Sequence, residues 1–248
     1  MAILAILRAI ILVLSMSLYI LVYTISRVVW PHTKSSAFAL RRHWISNICL
    51  PVLNIKVQLQ GKVAEGAALY VCNHRSFLDP AVISKYLDAF VIAKAEIADY
   101  PIINKGAEVT GVIWVRRDSQ DSRVATRKAY VDTLQAGYNV LVYPEGTVSI
   151  EPTSLDFKKG TFHEAAKHGF KVVPVAIEYR DKKDLWSIAS LLKYYIQQCS
   201  TWSTHVKLHF GEPLSAADGA ELHDQAYQWI NKEMHTMQTG WSRAWDKP

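Results

Sequence analysis

The amino-terminal part of the chain shows two hydrophobic patterns in succession. Residues 9–26 contain no charged side chain, and as a helix they would extend ~27 Å, close to the thickness of a bilayer's hydrocarbon core. Residues 35–51 follow the pattern of an amphipathic helix, with apolar side chains on one side and Arg41 and Arg42 on the other. We predict a membrane anchor over residues 1–52, made of the apolar helix and the amphipathic helix.

Three other interpretations of the apolar segment can be considered. A cleaved signal peptide would end in small residues, whereas Arg27 and the bulky Val28 and Val29 follow here. A buried core helix of this length usually carries some charge. An interfacial or re-entrant helix can have the same composition as a spanning one. That last alternative stays open beside our expectation that the helix spans the membrane.

Basic residues are unevenly distributed around the apolar segment. Arg27, Lys34, Arg41 and Arg42 follow it, whereas Arg8 is the basic side chain that precedes it. Segments rich in lysine and arginine tend to stay on the cytoplasmic side of a membrane. We therefore expect an inner-membrane (cytoplasmic-membrane) protein in which the domain after the anchor faces the cytoplasm.

The rest of the chain alternates between short apolar runs rich in β-branched residues and helical patterns. Strands are predicted over 55–59, 67–72, 89–93, 111–115, 139–143, 172–177 and 206–210. Helices are predicted over 80–87, 122–136, 161–168, 185–198 and 217–237. Because most of the strands are apolar throughout, residues 53–248 predict an α/β domain with a mixed, largely parallel sheet flanked by helices. Pro174 inside its apolar run predicts an edge or terminal position.

The chain is basic, with a net charge of +6 and a pI near 9.1. Such a balance suits nucleic acid, phosphorylated substrates or an anionic membrane surface. No run interleaves basic and aromatic residues as nucleic-acid binders do, so we expect membrane lipids and no nucleic acid as partners. Cys49, Cys72 and Cys199 form no Cys-x-x-Cys pair, so we expect neither a disulfide framework nor a metal site.

Residues 73–80 read Asn-His-Arg-Ser-Phe-Leu-Asp-Pro and follow a predicted buried strand, where α/β sheets bind ligands. Positions five apart on a helix differ by ~140°, so His74 and Asp79 can meet only across a tight turn. Asp79 could then hold one imidazole nitrogen and leave the other as a general base for an alcohol. The alternative is that Asp79 only caps the next helix and His74 is a surface histidine.

Two further strand exits carry candidate chemistry. Arg117 follows the strand 111–115, and a guanidinium can bind phosphate with two hydrogen bonds. Residues 144–147 form a turn after the strand 139–143, and its amides could meet a phosphate or a developing oxyanion. Taken singly, these features also fit a surface arginine and an ordinary turn.

Four segments, in order, resemble the signature blocks of the glycerolipid acyltransferase (PlsC-like, 1-acyl-sn-glycerol-3-phosphate acyltransferase) family. They are residues 73–80, Gly-Val-Ile-Trp-Val-Arg-Arg at 111–117, Tyr-Pro-Glu-Gly-Thr at 143–147 and Val-Val-Pro-Val at 172–175. The resemblance covers about residues 54–210. It implies transfer of a fatty acyl group to a glycerolipid hydroxyl, with acyl-CoA or acyl carrier protein as the donor and co-substrate. It also implies no metal and no other cofactor.

The same resemblance implies residue roles. His74 would be the general base, Asp79 would orient it, and Arg117 would help to hold the acceptor's phosphate. Glu145 and its two neighbours would shape the acceptor site, and Lys159 lies in a segment similar to the family's Phe-Lys-x-Gly. The substrate-binding candidates are Asn73, Ser76, Arg117, Glu145, Gly146, Thr147 and Lys159.

One position departs from the family's pattern. Val148 stands where most members that form phosphatidic acid have an arginine. We expect the acceptor to be a lysophospholipid, 1-acylglycerol-3-phosphate, and the product phosphatidic acid. A lyso-ornithine lipid or another lysolipid is the alternative, because members that act on such acceptors resemble this variant. A membrane protein that binds acyl-CoA or lipid without catalysis is a further alternative.

Overall fold

Seven strands form a single sheet, in the order β1-β7-β6-β2-β5-β3-β4. The computed structural model describes residues 2–29, 31–99, 101–115, 120–187, 190–239 and 241. The strands are β1 Ile55–Gly61, β2 Leu69–Cys72, β3 Ala89–Lys94, β4 Val112–Val115, β5 Asn139–Val142, β6 Val172–Tyr179 and β7 Thr204–Phe210. The pairing of β6 with β7 is antiparallel and the other five pairings are parallel. The predicted mixed, largely parallel sheet is therefore confirmed.

Helices cover both faces of this sheet. They are α1 Ala2–Val29, α2 Lys34–Trp44, α3 Leu50–Val52, α4 Asp79–Ser84, α5 Pro101–Thr110, α6 Gln120–Gln135, α7 Gly160–His168, α8 Leu191–Ser200 and α9 Gly219–Gln238. One core contains Tyr70 and Cys72 of β2 together with side chains from α1, α3 and α4. The second core contains Leu69 and Val71 of β2 with side chains from α6, α7 and α9. Because side chains of a strand alternate between faces, β2 contributes to both cores.

The predicted amphipathic helix is one helical run from residue 34 to residue 52. Thr33 begins it with a capping box, in which Thr33 and Ser36 exchange hydrogen bonds between side chain and backbone. A single wider turn, Ile45–Cys49, separates α2 from α3. Ile45 and Leu50 enter the first core, so the apolar side of this run packs against the α/β domain.

The helix α1 is attached to the rest of the protein over much of its length. Near its start, the guanidinium of Arg8 donates to the carbonyl oxygens of Cys199 and Trp202, each at 3.3 Å, and to that of Thr201. Further along, Ser15 Oγ accepts a hydrogen bond from Trp44 Nε1 at 3.1 Å. The anchor helices thus share a core with the α/β domain, and the predicted boundary at residue 52 stays a prediction.

The structure differs from the predicted elements at three places. The helix α5 was not predicted, because Gly106 in its middle lowers helix propensity. The helix α8 begins at Leu191, not near 185, since Leu185 is buried after a short 3-10 turn. We predicted an edge or a terminal position for Pro174. The edge position is wrong, because β6 lies between β7 and β2, whereas Pro174 does lie near the start of β6, as its third residue.

Pro174 is tolerated in an interior strand because of where the β6–β7 ladder ends. The last pair of that ladder is Val175 with Phe210, so Pro174 lies one residue beyond it. Beyond this pair, the segment after β7 forms the hydrogen bonds to β6. Gly211 donates its backbone N–H to the Pro174 carbonyl at 2.8 Å, and Val172 exchanges hydrogen bonds with Leu214. The missing proline N–H therefore falls outside the regular pairing of β6 with β7.

Candidate active site

A tight turn after β2 brings His74 and Asp79 together. The Asp79 carboxylate folds back over the turn, and its Oδ2 accepts the backbone N–H groups of Arg75 at 2.7 Å and Ser76 at 2.9 Å. The same oxygen lies 2.8 Å from Nδ1 of His74. The turn required by the five-residue spacing is therefore present, and the side chain of Asp79 itself stabilises it.

The Asp79 carboxylate is buried and fully hydrogen-bonded. Its second oxygen, Oδ1, accepts the hydroxyl of Tyr179 at 2.8 Å. Burial, and then the Asp79 charge, raise the pKa of Tyr179 well above its ordinary value, so this hydroxyl stays a donor. Donors on both oxygens fix the orientation of the carboxylate. Sequence reasoning missed Tyr179 because it ends an apolar strand that gave no sign of polar contacts.

His74 presents its other nitrogen to a cavity. Because the Asp79 carboxylate can only accept, Nδ1 of His74 is the protonated nitrogen, and Nε2 is left unprotonated without a partner among the described residues. The imidazole stacks on the Tyr143 ring with the centroids 4.1 Å apart. The side chain is only partly buried, and it lines the cavity. This is the geometry of an oriented general base.

Glu145 supports the His74 turn from behind. Its Oε1 accepts the backbone N–H of His74 at 2.7 Å, and its Oε2 accepts that of Leu155 at 2.9 Å. Burial raises the pKa of the Glu145 carboxyl to about 7, although these two amides act in the opposite direction. Glu145 therefore joins the catalytic turn to the loop at residue 155, and it is absent from the cavity wall.

Arg75 is a second support that sequence reasoning missed. Its guanidinium is buried and pairs with Glu178, with Nε 3.2 Å from Oε1 and Nη2 3.0 Å from Oε2. Its Nη1 also donates to the carbonyl of Ser149 at 2.9 Å and to that of Glu151. Arg75 thereby connects the turn after β2 to β6 and to the loop after β5.

Asn73 and Ser76, which were predicted to bind substrate, face the interior of the protein. The Asn73 amide exchanges two hydrogen bonds of 2.9 Å with the backbone of Ile177, which extends the pairing of β2 with β6. The Ser76 hydroxyl contacts the hydroxyl of Tyr194 and accepts the N–H of Leu78. Neither side chain lines the cavity.

The cavity beside His74 has a volume of about 930 Å³ and a wall of mixed polarity. We call its buried and half-buried apolar wall residues the deep part; they include Ile45, Val91, Ala107, Val112 and Trp114. We call its exposed polar wall residues the outer part; they are Arg127, Thr147 and Lys158. A cavity of this kind suits an amphiphile whose alkyl chain lies in the deep part.

Arg41 forms part of the deep cavity wall, although the amphipathic pattern had placed it on the polar side of its helix. Its guanidinium donates to the carbonyl of Ala89 at 3.0 Å and lies over the Phe38 ring. Burial lowers the pKa of Arg41 to about 10, which leaves it charged at neutral pH. Ala89 begins β3 and His74 follows the end of β2, so Arg41 and His74 lie toward opposite ends of the cavity.

Of the remaining predicted substrate-binding residues, some line the cavity and others do not. Gly146 and Thr147 line the cavity, and Gly146 has a φ of +76°, a backbone conformation that favours glycine. Lys158 lines the cavity, whereas Lys159 does not and instead precedes α7. Arg117 lies outside the described residues. Val148 also lines the cavity, so the position that departs from the family pattern faces the cavity.

No group of three or more His, Cys, Asp or Glu side chains in the described part of the chain is placed to hold a metal ion. The three cysteines are buried, and burial raises the pKa of the Cys72 thiol well above its ordinary value. A neutral buried thiol is a poor nucleophile. The groups positioned for chemistry are thus the imidazole of His74 and the polar atoms around the outer cavity.

Comparison with known proteins finds related acyltransferases. Residues 54–178, about half of the chain, match the family model described as acyltransferase. A lyso-ornithine lipid O-acyltransferase from Pseudomonas aeruginosa is 29% identical over 204 residues, which are 77% of this chain and 76% of that protein. A 1-acyl-sn-glycerol-3-phosphate acyltransferase from Neisseria gonorrhoeae is 34% identical over 114 residues, 46% of this chain and 45% of that protein.

A solved structure has the same fold over nearly the whole length. The crystal structure of the 1-acyl-sn-glycerophosphate (LPA) acyltransferase PlsC from Thermotoga maritima superimposes with a TM-score of 0.68 at 20% sequence identity. The superposition covers 96% of this chain and 99% of that one. The family match spans β1 to β6 and includes the His74–Asp79 turn and the Glu145 segment. The protein belongs to the PlsC-like acyltransferase family.

Proposed function

We propose that this protein transfers a fatty acyl group from a thioester donor to the free hydroxyl of a lysolipid. The observation that carries the proposal is the His74–Asp79 pair, whose His74 lies in the wall of a cavity with many apolar wall residues. Nδ1 of His74 is held by Asp79, and Nε2 is available to the cavity. An oriented base beside an alkyl-binding space is what an acyl transfer to a lipid hydroxyl requires.

In this reaction Nε2 of His74 takes the proton of the acceptor hydroxyl as its oxygen attacks the thioester carbonyl. The Asp79 carboxylate stabilises the imidazolium that forms. The tetrahedral adduct then collapses: the carbon–sulfur bond breaks, the ester bond remains, and the imidazolium returns its proton to the departing thiolate. The enzyme ends in its starting protonation state. Gly146 and Thr147 line the cavity. The N–H of Gly146 is used within the turn, where it donates to the Tyr143 carbonyl at 3.0 Å, so we propose that the oxyanion is stabilised at Thr147.

The acceptor we propose is 1-acylglycerol-3-phosphate, with phosphatidic acid as the product. Lys158 and Arg127 line the outer cavity, and their charges suit a phosphate group. A lyso-ornithine lipid is the second candidate. It is favoured by Val148, which replaces a potential phosphate-binding arginine in the cavity wall, and by the extent of the match to the Pseudomonas protein.

The donor is proposed to be acyl-CoA or acyl carrier protein, with no metal or further cofactor. The site is proposed to face the cytoplasm at the inner membrane. For α1 we now favour a placement in the membrane interface. Arg8 near its start contacts the carbonyl of Cys199 in α8, and Ser15 and Tyr19 in its middle contact Trp44 and His43 of α2. If α1 crossed the bilayer, the parts of the domain attached to it would have to enter the bilayer as well.

The test is a transfer assay with purified protein, radiolabelled acyl-CoA or acyl carrier protein, and a panel of acceptors. The panel contains lysophosphatidate, lyso-ornithine lipid and lysophosphatidylcholine, and His74→Ala is the control. Turnover of lysophosphatidate above the others supports the first acceptor, and turnover of lyso-ornithine lipid alone supports the second. If none of the acceptors reacts, or if His74→Ala is as active as the parent, the proposed chemistry is wrong.

A further inference from the structure

The helix α8 exposes large apolar side chains in the α/β domain itself. Leu192 and Ile196, one turn apart on α8, are 60% and 51% exposed, and Trp202 just after the helix is 74% exposed. We refer to Leu192, Ile196 and Trp202 as the α8 patch. Side chains of this size are usually buried, and a group of them on the surface marks an interaction site.

The α8 patch borders the exposed side of α1. The two helices pack against each other, and the guanidinium of Arg8 donates to the carbonyl of Trp202 at 3.3 Å. The outward side chains of α1 are apolar along most of its length. They include Ile3, Ile6, Leu7, Ile10, Leu14, Leu18, Leu21 and Ile25. The α8 patch therefore adds to the apolar surface that the outward side chains of α1 form.

The charges on this surface suit an anionic bilayer. Neither α1 nor α8 contains Asp or Glu. Lys193, next to Leu192, and Arg27 near the end of α1 are both exposed. On the opposite face of the sheet, α9 carries acidic residues such as Glu221 and Glu233, as is usual for a helix in water. Apolar side chains, basic residues and an exposed tryptophan together are typical of a protein surface in the membrane interface.

We propose that the α8 patch enters the same bilayer surface as α1, so that the α/β domain itself contacts lipid. The inference rests on the proposed membrane placement of α1 and adds a second contact, from the catalytic domain. The occupant is a lipid bilayer; a second copy of the chain is the competing occupant and an outcome of the test below.

This contact would bring the bilayer close to the base. Tyr194 lies between Leu192 and Ile196 in sequence but faces inward, where its hydroxyl contacts Ser76 of the catalytic turn. Trp186, which lines the cavity, stacks on the ring of Tyr194. One side of α8 thus touches the site and the other carries the patch. The bilayer surface and the catalytic turn are then separated by about one helix diameter, roughly 10 Å.

The test uses nitroxide labels on single introduced cysteines in the full-length protein, reconstituted into vesicles of phosphatidylethanolamine and phosphatidylglycerol. The three native cysteines are buried, and the unmutated protein measures any background labelling. Ile196→Cys and Trp202→Cys probe the patch, and Leu18→Cys, at a position 57% exposed, probes α1. Val124→Cys is the matched control, because Val124 is 54% exposed on α6 across the sheet.

Collision with oxygen, which concentrates in lipid, is compared with collision with a water-soluble nickel chelate. We expect the labels at 18, 196 and 202 to favour oxygen and the label at 124 to favour nickel. If positions 196 and 202 behave like 124 while 18 favours oxygen, α1 contacts lipid but the inference is wrong. If the label at position 18 also favours nickel, as the label at 124 should, the proposed membrane placement of α1 is wrong as well. Dipolar broadening at 196 that disappears on dilution with unlabelled protein would assign the patch to a second copy instead.

Acyl transfer measured on the same vesicles reports on the proposed function separately. A second variant, Leu192→Gln with Ile196→Gln, replaces two exposed side chains that do not line the cavity. We expect it to raise the KM for an acceptor embedded in vesicles by at least about threefold. Its activity toward a short-chain acceptor that is monomeric in water should equal that of the parent. An unchanged KM for the embedded acceptor would contradict the inference even if the parent enzyme is active.

Discussion

The hydroxyl of Tyr179, one hundred residues away in sequence, donates a 2.8 Å hydrogen bond to the carboxylate of Asp79. Tyr179 approaches from the end of β6, and His74 approaches the other carboxylate oxygen from the end of β2. The base is therefore oriented by a chain of three side chains, Tyr179, Asp79 and His74, that spans two neighbouring strands of the sheet.

Replacing Tyr179 by phenylalanine should lower kcat by about tenfold, because one hydrogen bond to a charged group contributes roughly 1.5 kcal/mol. The KM for either substrate should stay unchanged, since Tyr179 does not line the cavity. Steady-state kinetics measures both constants. Tyr227→Phe is the matched control, because its hydroxyl makes only a 3.5 Å contact with Ser154 on the other face of the sheet. Equal kcat values for the two variants would exclude an orienting role.

Asp79→Asn should reduce kcat by about 10²–10⁴-fold, the range typical of losing an oriented acid–base group. The amide presents only one acceptor oxygen, so it cannot serve the His74 ring, two backbone N–H groups and Tyr179 together. Initial rates and circular dichroism of the same sample separate lost chemistry from lost folding. Asp132→Asn, at an exposed position on α6, should leave the rate unchanged. A well-folded Asp79→Asn protein with parental kcat would refute the assigned base.

Glu145 makes folding stability depend on pH. Its pKa is about 7 in the folded protein against 4.5 ordinarily. The folded state therefore holds this proton more tightly than the unfolded state, and stability falls as pH rises from about 4.5 to about 7. The loss is on the order of 3 kcal/mol. Urea unfolding of the parent and of Glu145→Gln across this window measures it. The gap between the two proteins should change with pH there and stay constant above pH 8.

Breaking the buried pair of Arg75 with Glu178 should cost about 3–5 kcal/mol of unfolding free energy, because one charge is left without its partner. Arg75→Met and Glu178→Gln are the two single variants, and thermal unfolding gives the loss for each. The double variant Arg75→Met with Glu178→Gln should recover part of it, since no buried charge then remains. If the double variant loses the sum of both single effects, the two side chains do not stabilise each other.

Val148→Arg tests the acceptor assignment. A guanidinium in the cavity wall should raise kcat/KM for lysophosphatidate relative to lyso-ornithine lipid by about tenfold, as one charge-assisted hydrogen bond to phosphate would. The ratio of the two specificity constants is the measurement. Val124→Arg adds the same charge outside this cavity and should leave the ratio unchanged. A ratio that Val148→Arg does not alter would mean that this position lies away from the headgroup.

The strands and the principal site were predictable because each has a local signature. Short apolar runs bounded by polar turns marked the strands, and the five-residue spacing of His74 and Asp79 required the turn that the structure contains. The interior position of Pro174 could not be predicted, because it depends on the β6–β7 ladder ending one residue before Pro174, and the sequence does not show where a ladder ends.

The supporting residues could not be predicted, because their partners are distant in sequence. Arg75 meets Glu178, and Tyr179 meets Asp79, only after β6 has paired with β2. Glu145 was expected at the substrate, and its contacts with the His74 and Leu155 amides depend on a loop whose path is not encoded in any short pattern. Helical periodicity placed Arg41 on the polar side of its helix, whereas the structure places it in the wall of the cavity.

The contact between Arg8 and Trp202 also constrains how the protein is made in the cell. The two residues are 194 positions apart, so at the usual rates of translation about 10–40 s separate their synthesis. During that interval α1 has emerged from the ribosome while its partner α8 does not yet exist. A newly made apolar helix with no protein surface to cover it has lipid or a chaperone as its available partner. If α1 binds lipid as we propose, the catalytic domain therefore closes onto a helix that is already in the membrane.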